Sequence, residues 1–368
     1  MRLANGQTPK EISSNRDVSI HTVRNQIQTV LTKTDCKTAP EMVKTITGMS
    51  SKFQTVQFET QALRKEEIGN QNTLRPAGFT SGGGRYFRYF EQGHPNGKPV
   101  IFIPSLMYDV GLSSSAAKRA VLFGLRFIIP MRAGYSDSDP NPQSDPESLV
   151  EATIEDLTRL IKYLGLDSVV LMSGWAGCYA QRLAIERPDL VSGLLQLNSV
   201  PLWKNEYLKT VRPRHRNIVK TSIRVPQVVP YLARLGKALM DSGRGEVFAR
   251  SLDKDCEVDL RALDDPEILF AITNGFDEIA RQGVFTFSED MKTVHTNWIE
   301  DTKKLKTNVT LLKGDKHTDL PQSAYEIYKN AVPQAKIKHI KDGGSYLHLT
   351  HFEVVAKELQ NLFAKNLT

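Results

Sequence analysis

Leu171-Met172-Ser173-Gly174-Trp175-Ala176-Gly177 closes a short apolar run, Val169-Val170-Leu171-Met172, and opens a helix marked by Ala180, Leu183, Ala184 and Ile185 that stops before Pro188. An apolar run this brief, followed at once by helical spacing, reads as a buried strand turning sharply into a helix. The same punctuation recurs on both sides. Pro99-Val100-Ile101-Phe102-Ile103, Phe127-Ile128-Ile129, Leu194-Leu195-Gln196-Leu197 and Val309-Thr310-Leu311-Leu312 have the length and apolarity of strands covered on both faces. Leu149, Ile154, Leu157, Leu160, Ile161 and Leu164 mark a helix between two of them. Strands alternating with helices predict an α/β fold with a mostly parallel, doubly wound sheet. Ligands of such sheets bind in the loops beyond the C-terminal strand ends.

Those loops carry the chemistry. Ile103-Pro104-Ser105-Leu106 follows one strand, Pro130-Met131-Arg132-Ala133-Gly134-Tyr135-Ser136-Asp137-Ser138-Asp139-Pro140 another, and Lys341-Asp342-Gly343-Gly344-Ser345-Tyr346-Leu347 lies near the C-terminus. Together with the turn at 173–177 they resemble, in order and spacing, the functional loops of the α/β-hydrolase family. The resemblance covers residues 85–368, with a helical lid expected at about 203–300. It implies an α/β-hydrolase fold and a reaction that needs a nucleophile on a strained turn, a histidine base, an acid to orient it, and two backbone N–H donors for the oxyanion.

The helix spacing puts Gly174 at the nucleophile position; anchoring on Gly177 instead puts Trp175 there. His317 stands at the acid position, in Gly314-Asp315-Lys316-His317, and Ser345 stands where the histidine belongs. None of these can play the part its place implies. The nearest alternatives are Ser173, Asp315 or Asp319, and His348. As a nucleophile Ser173 would need small residues two positions away on either side, where Leu171 and Trp175 stand. The oxyanion donors are expected to be the backbone groups of Leu106 and Trp175, which side-chain identity does not abolish.

Ahead of this domain, Thr8-Pro9-Lys10-Glu11 combines an N-cap threonine, a proline at the first helical position and an acidic first turn, predicting a helix to about Asn15. Ser19 caps a second, with Ile20, Val23, Ile27, Val30 and Leu31 on one face, and a third is expected over Pro40 to Ile46. Asn5 to Ile12, Ser19 to Ile27 and Lys33 resemble a LuxR-type helix-turn-helix, placed in residues 1–47. That resemblance implies a recognition helix at Ser19–Leu31 with Thr22, Arg24, Asn25 and Gln28 toward DNA and Lys10 and Lys33 near phosphates. Only Met1–Ala4 correspond to the module's first helix, so DNA binding is expected of a gene product in which the module is complete. Residues 48–84, polar and interrupted by Gly78 and Gly82-Gly83-Gly84, read as a linker.

Taken together, the resemblances imply a DNA-binding transcriptional regulator whose catalytically degenerate hydrolase-like domain senses a small molecule or binds a partner, with a homodimer as one arrangement. The alternative is a soluble serine-type α/β hydrolase acting on small esters or related acyl substrates through Ser173 and His348. Arg212, Arg214, His215, Arg216 and Lys220, in the lid, read as a solvated basic face. A net charge of +7 suits an anionic partner without requiring one. Three widely spaced cysteines, with no metal-ligand pairing, predict a reducing compartment with neither disulfide nor metal, and no cofactor is expected. No secretory signal or membrane-length apolar run is visible, so a cytoplasmic protein is expected.

Overall fold

Val100 to Ile103, Phe127 to Ile129 and Val169 to Met172 are fully buried, because helices cover the strands that carry them on both sides. In the computed structural model, which describes residues 8–16, 18–34, 38, 73–80, 84–104, 106, 110–141, 145–224, 229–282 and 285–364, these belong to one sheet. Its strands are β1 (Arg75–Thr80), β2 (Tyr86–Gly93), β3 (Lys98–Ile103), β4 (Leu125–Pro130), β5 (Val169–Ser173), β6 (Val191–Leu197), β7 (Asn308–Gly314) and β8 (Lys336–Ile340). They run in the order β1-β2-β4-β3-β5-β6-β7-β8, with β1 and β2 antiparallel and the rest parallel, as the alternation of strand and helix predicts.

Strand alternation divides the core in two. Ile101, Ile103 and Leu171 pack with α4 (Pro146–Tyr163) and α5 (Gly177–Glu186), while Val100, Phe102, Val170 and Met172 pack with α3 (Ser114–Leu122) and α15 (Phe352–Ala364). Between β6 and β7 the chain leaves the sheet for a helical lid. It comprises α6 (Pro213–Arg224), α7 (Val229–Leu239), α8 (Gly245–Asp253), α9 (Glu257–Ala262), α10 (Pro266–Ala280), α11 (Phe285–Val294) and α12 (Ile299–Thr302). The chain then returns through β7, α13 (Gln322–Ala331), β8 and α14 (Leu347–Thr350).

The sheet starts earlier than the glycines at 82–84 suggest, since β1 lies inside the stretch read as a linker. It is a half-exposed edge strand with no apolar alternation. A Cβ at Gly78 would meet the hydroxyl end of the Tyr86 ring, so a larger residue there requires that side chain to move.

Residues Met1–Glu67 form a separate unit. Its described part is α1 (Pro9–Arg16) and α2 (Ile20–Thr34), with Ile12 and Val23 buried and Lys10, Thr22, Arg24, Asn25 and Gln28 exposed. Lys33 lies on α2. The third helix expected at Pro40 to Ile46 falls outside the described residues, as does most of the expected linker. No described helix is long and apolar enough to cross a membrane.

Candidate functional site

The bend after β5 occupies Gly174, Trp175 and Ala176, and α5 begins at Gly177. A Cβ at 177 would stand 2.7 Å from the Gln196 Nε2, so a larger residue there requires that side chain to shift. Among the described residues, positive φ occurs at Ser136, Asn198 and several glycines that do not include Gly174; Trp175 is not among them either. The turn therefore lacks the backbone strain that presents a nucleophile above a strand. Ser173 is fully buried, its Oγ has no hydrogen-bond partner, and it does not line the cavity described next. Replacing a buried, unpaired hydroxyl by hydrogen removes a cost rather than a bond. Ser173→Ala is expected to leave stability unchanged or raise it by up to about 1 kcal/mol in urea unfolding; a clear loss would reveal a partner for the hydroxyl.

A cavity of about 780 Å³, counting its open mouth, is lined by Gly174 and Trp175 of the bend, by Leu106, and by apolar lid residues that include Val211, Ile218, Val219 and Met291. Its polar lining is Asn198, Arg212, His215, His295, His317, Asp319, Ser345 and His348. The structure thus brings Gly174, His317, Ser345, His348, Leu106 and Trp175 together at one site. Asp315 is elsewhere: half-exposed, it pairs with His339 Nδ1 at 2.7 Å. Asn198 holds the floor in place, accepting from Gly314 N at 2.7 Å and donating to the Gly344 carbonyl at 2.9 Å. That fixes the end of β7 against the loop carrying Ser345.

The carboxylate that lines the cavity is Asp319, four residues beyond Asp315. It is fully buried and accepts from the Arg212 backbone N–H at 3.1 Å, from Arg212 Nε at 3.2 Å and from the second Arg212 amino group at 3.1 Å. His215 Nδ1 stands 3.1 Å from its other contact oxygen, Oδ2. Arg212 Nη2 is also 3.3 Å from Nδ1, but a guanidinium can only donate. With the carboxylate as the better partner, Nδ1–H donates to Asp319 and Nε2 is left as the basic nitrogen. Burial raises the Asp319 pKa, but the His215 hydrogen bond and the charges of His317 and Arg212 outweigh it and hold the carboxyl well below its usual range. Nε2 of His215 is buried and has no hydrogen-bond partner.

Arg212 also reaches Asp253 at 3.2 Å and Asp259 at 3.1 Å. Asp259 in turn accepts from the backbone N–H and the hydroxyl of Ser345, both at 2.7 Å. Ser345, at the family's histidine position, is therefore tied to a lid carboxylate. The expectation that the basic run at 212–220 is a solvated face is corrected for its first members: Arg212 is buried and His215 nearly so. Their partner Asp319 lies 104 residues from His215, beyond the reach of any local pattern.

His295, His317 and His348 also line the cavity. His295 donates Nδ1–H to the Met291 carbonyl at 2.6 Å, and its ring meets Trp203 edge-on at 4.5 Å. His317 packs edge-on to Trp175 at 6.2 Å. Burial pushes both pKa values from 6.5 down to about 4. Because the unfolded chain binds these protons more readily, stability is complete above about pH 6.5 and falls as pH drops toward 4. Asp253, raised to about 6 by burial and the nearby Asp259, acts in the opposite sense over part of that range. Asp156 and Glu278, raised by burial, and His351, lowered by burial, also titrate differently in the folded chain, so the comparison between variants reads His295. From pH 7 to pH 4.5 the urea midpoint of His295→Phe is expected to lose less, or gain more, than that of the parent chain, a change of slope. An unchanged slope in that variant would contradict the assignment.

A buried bridge fastens the lid beside this cavity. Arg132 donates to the Pro104 carbonyl and to Asp290 of α11, while Tyr135 and Tyr179 donate their hydroxyls to the same carboxylate. The guanidinium lies 5.0 Å from the Tyr135 ring centroid and 4.7 Å from that of Tyr179. Pro104 precedes Leu106 in the chain and Tyr179, on α5, follows Trp175, so the bridge ties the lid to residues near both expected oxyanion donors. Cys178, beside Tyr179, is an unreactive thiol, with burial pushing its pKa to about 12. Among the described residues no group of histidines, cysteines and carboxylates is arranged to hold a metal ion.

No family model and no curated protein matches the sequence. Solved structures do resemble it. A thermophilic esterase from Thermogutta terrifontis is 18% identical at a TM-score of 0.56, over 79% of this chain and 98% of that one. A carboxylesterase structure from the thaumarchaeon Nitrososphaera gargenis is 14% identical at 0.55, over 78% and 100%. An epoxide hydrolase from Vigna radiata is 16% identical at 0.55, over 80% and 98%. The chain has the α/β-hydrolase fold. The expectation of a DNA-binding transcriptional regulator with a degenerate sensing domain is overturned, because the structures that resemble the chain are hydrolases and nothing in the comparisons supports a LuxR-type module. The physical reason is that two short helices with a buried face and a polar outer face are a general packing unit.

Proposed function

We propose that this chain is a hydrolase of small esters or related acyl substrates in which a water molecule, activated by the His215–Asp319 pair, replaces the missing serine nucleophile. The observation that carries the reading is the pair itself: a buried carboxylate orients an imidazole on the wall of the cavity that also holds Leu106 and Trp175. The hydrolase structures that share the fold support it. In the reaction, water attacks the carbonyl carbon as His215 Nε2 takes its proton, and Asp319 stabilises the imidazolium. The backbone N–H groups of Leu106 and Trp175 receive the oxyanion. Collapse breaks the bond to the leaving oxygen, which recovers the proton from His215, giving a carboxylic acid and an alcohol. A route through Ser173 and His348 is disfavoured by the burial of Ser173 away from the cavity.

The two routes differ in whether an acyl-enzyme forms. The purified chain is expected to hydrolyse short p-nitrophenyl esters with saturation and no burst, and to resist labelling by a fluorophosphonate. Stoichiometric phosphonylation of a serine that abolishes turnover would overturn the reading.

A further inference from the structure

Among the described residues seven large apolar side chains are exposed, and four of them, Ile223, Tyr231, Leu235 and Val247, fall within one stretch of the lid. Single exposed apolar residues need no explanation, but a concentration of them does. On α7 the exposed positions are Tyr231, Arg234, Leu235 and Ala238, spaced i, i+3, i+4 and i+7, which is one face of a helix. Val229, Ala233 and Gly236 take the opposite face and pack inward. Gly236 lies against the Phe248 ring of α8, which sets the turn carrying Leu235 beside the turn carrying Val247. α6 contacts α7 and ends in Ile223 and Arg224, both exposed.

The charges of this stretch are one-sided. Residues 213–253 carry eight lysines and arginines against three acids. Each acid is taken up: Asp241 by Lys237, Glu246 by Arg250 at 2.8 Å, and the buried Asp253 by Arg212 at 3.2 Å. Arg224, Arg234 and Arg244 are exposed and form no ion pair among the described residues. Each sits within three positions of an exposed apolar residue, and the Arg234 guanidinium lies 5.7 Å from the Tyr231 ring centroid. We infer that this face of the lid docks on an anionic lipid surface, with Tyr231 and Leu235 in the headgroup layer and Arg234 beside them on lipid phosphates. An apolar stripe edged by cations is what such a surface binds, and it uses both halves of the pattern. A second copy of the chain fits less well, because a two-fold contact repeats the same patch and sets arginines against arginines. A soluble polyanion would meet the cations and leave Leu235 in water. The inference stands apart from the hydrolase reading, since it needs no turnover.

The test is co-sedimentation of the full chain with vesicles of phosphatidylcholine alone and of phosphatidylcholine mixed with an equal amount of phosphatidylglycerol. Binding to the mixed vesicles is expected to be at least about tenfold tighter and to weaken as salt is raised. The double variant Tyr231→Ser with Leu235→Ser keeps every charge and is expected to bind the mixed vesicles about tenfold less tightly. Arg234→Gln keeps the apolar pair and is expected to lose about fivefold. All four changed atoms groups lie on the surface, so unchanged urea midpoints are expected to show that both variants fold. No binding to the mixed vesicles at low salt would overturn the inference. So would binding that the double variant leaves unchanged, which is attraction of a chain of net charge +7 by any anionic surface. Self-association of the parent chain in buffer that the double variant abolishes would overturn it in favour of a second copy.

Discussion

Asp290→Ala is expected to lower unfolding free energy by about 3–5 kcal/mol, read from denaturant midpoints at constant slope. Asp290 accepts from Arg132, Tyr135 and Tyr179, and all four side chains are buried. Truncating it leaves a guanidinium in the core with no counter-charge and two phenols without an acceptor, and such a loss exceeds that of a typical core truncation. Against a total of about 5–15 kcal/mol for a globular protein, this is a large fraction. The sign depends on breaking the pair rather than on deleting it. Arg132→Met combined with Asp290→Leu removes both charges and is expected to recover most of the loss. A single variant as stable as the parent would mean that the bridge is replaceable by water. The bridge also has a functional consequence, because it joins the lid to Pro104 and so to Leu106. Where the double variant folds, hydrolysis is expected to fall in kcat more than in KM.

The central strands could be read from residue order because each is a short run buried on both faces, and such runs admit few alternatives. The sheet edges could not. Arg75-Pro76-Ala77-Gly78-Phe79-Thr80 and Lys336-Ile337-Lys338-His339-Ile340 are half-exposed, and their pairing is supplied by a neighbouring strand rather than by their own pattern. At the site, the positions were readable and the chemistry was not. Gly174, His317 and Ser345 all line the cavity, as spacing within each loop requires. The Asp319–His215 pair instead joins the loop after β7 to a lid helix, and proximity of that kind is a property of the folded chain. A run of arginines and histidines is ordinarily solvated, whereas here Asp253, Asp259 and Asp319 pair with a buried Arg212. The N-terminal helices show the reverse case, in which a local pattern matched a known module without fixing its use.

His215→Phe is expected to lower kcat by about 10²–10⁴ while changing KM little. Phenylalanine keeps the ring's volume but has no nitrogen to take the proton from water. Asp319 retains its three contacts with Arg212, so the site's frame survives the change. Asp319→Asn is expected to act comparably, because an amide oriented by Arg212 no longer fixes the proton on Nδ1 of His215.

Ester hydrolysis measured side by side for the parent chain, Ser173→Ala and His215→Phe tests the central claim most directly. The account predicts full activity in Ser173→Ala and at least about a hundredfold loss in His215→Phe. Full activity in His215→Phe, or its loss in Ser173→Ala, would contradict it.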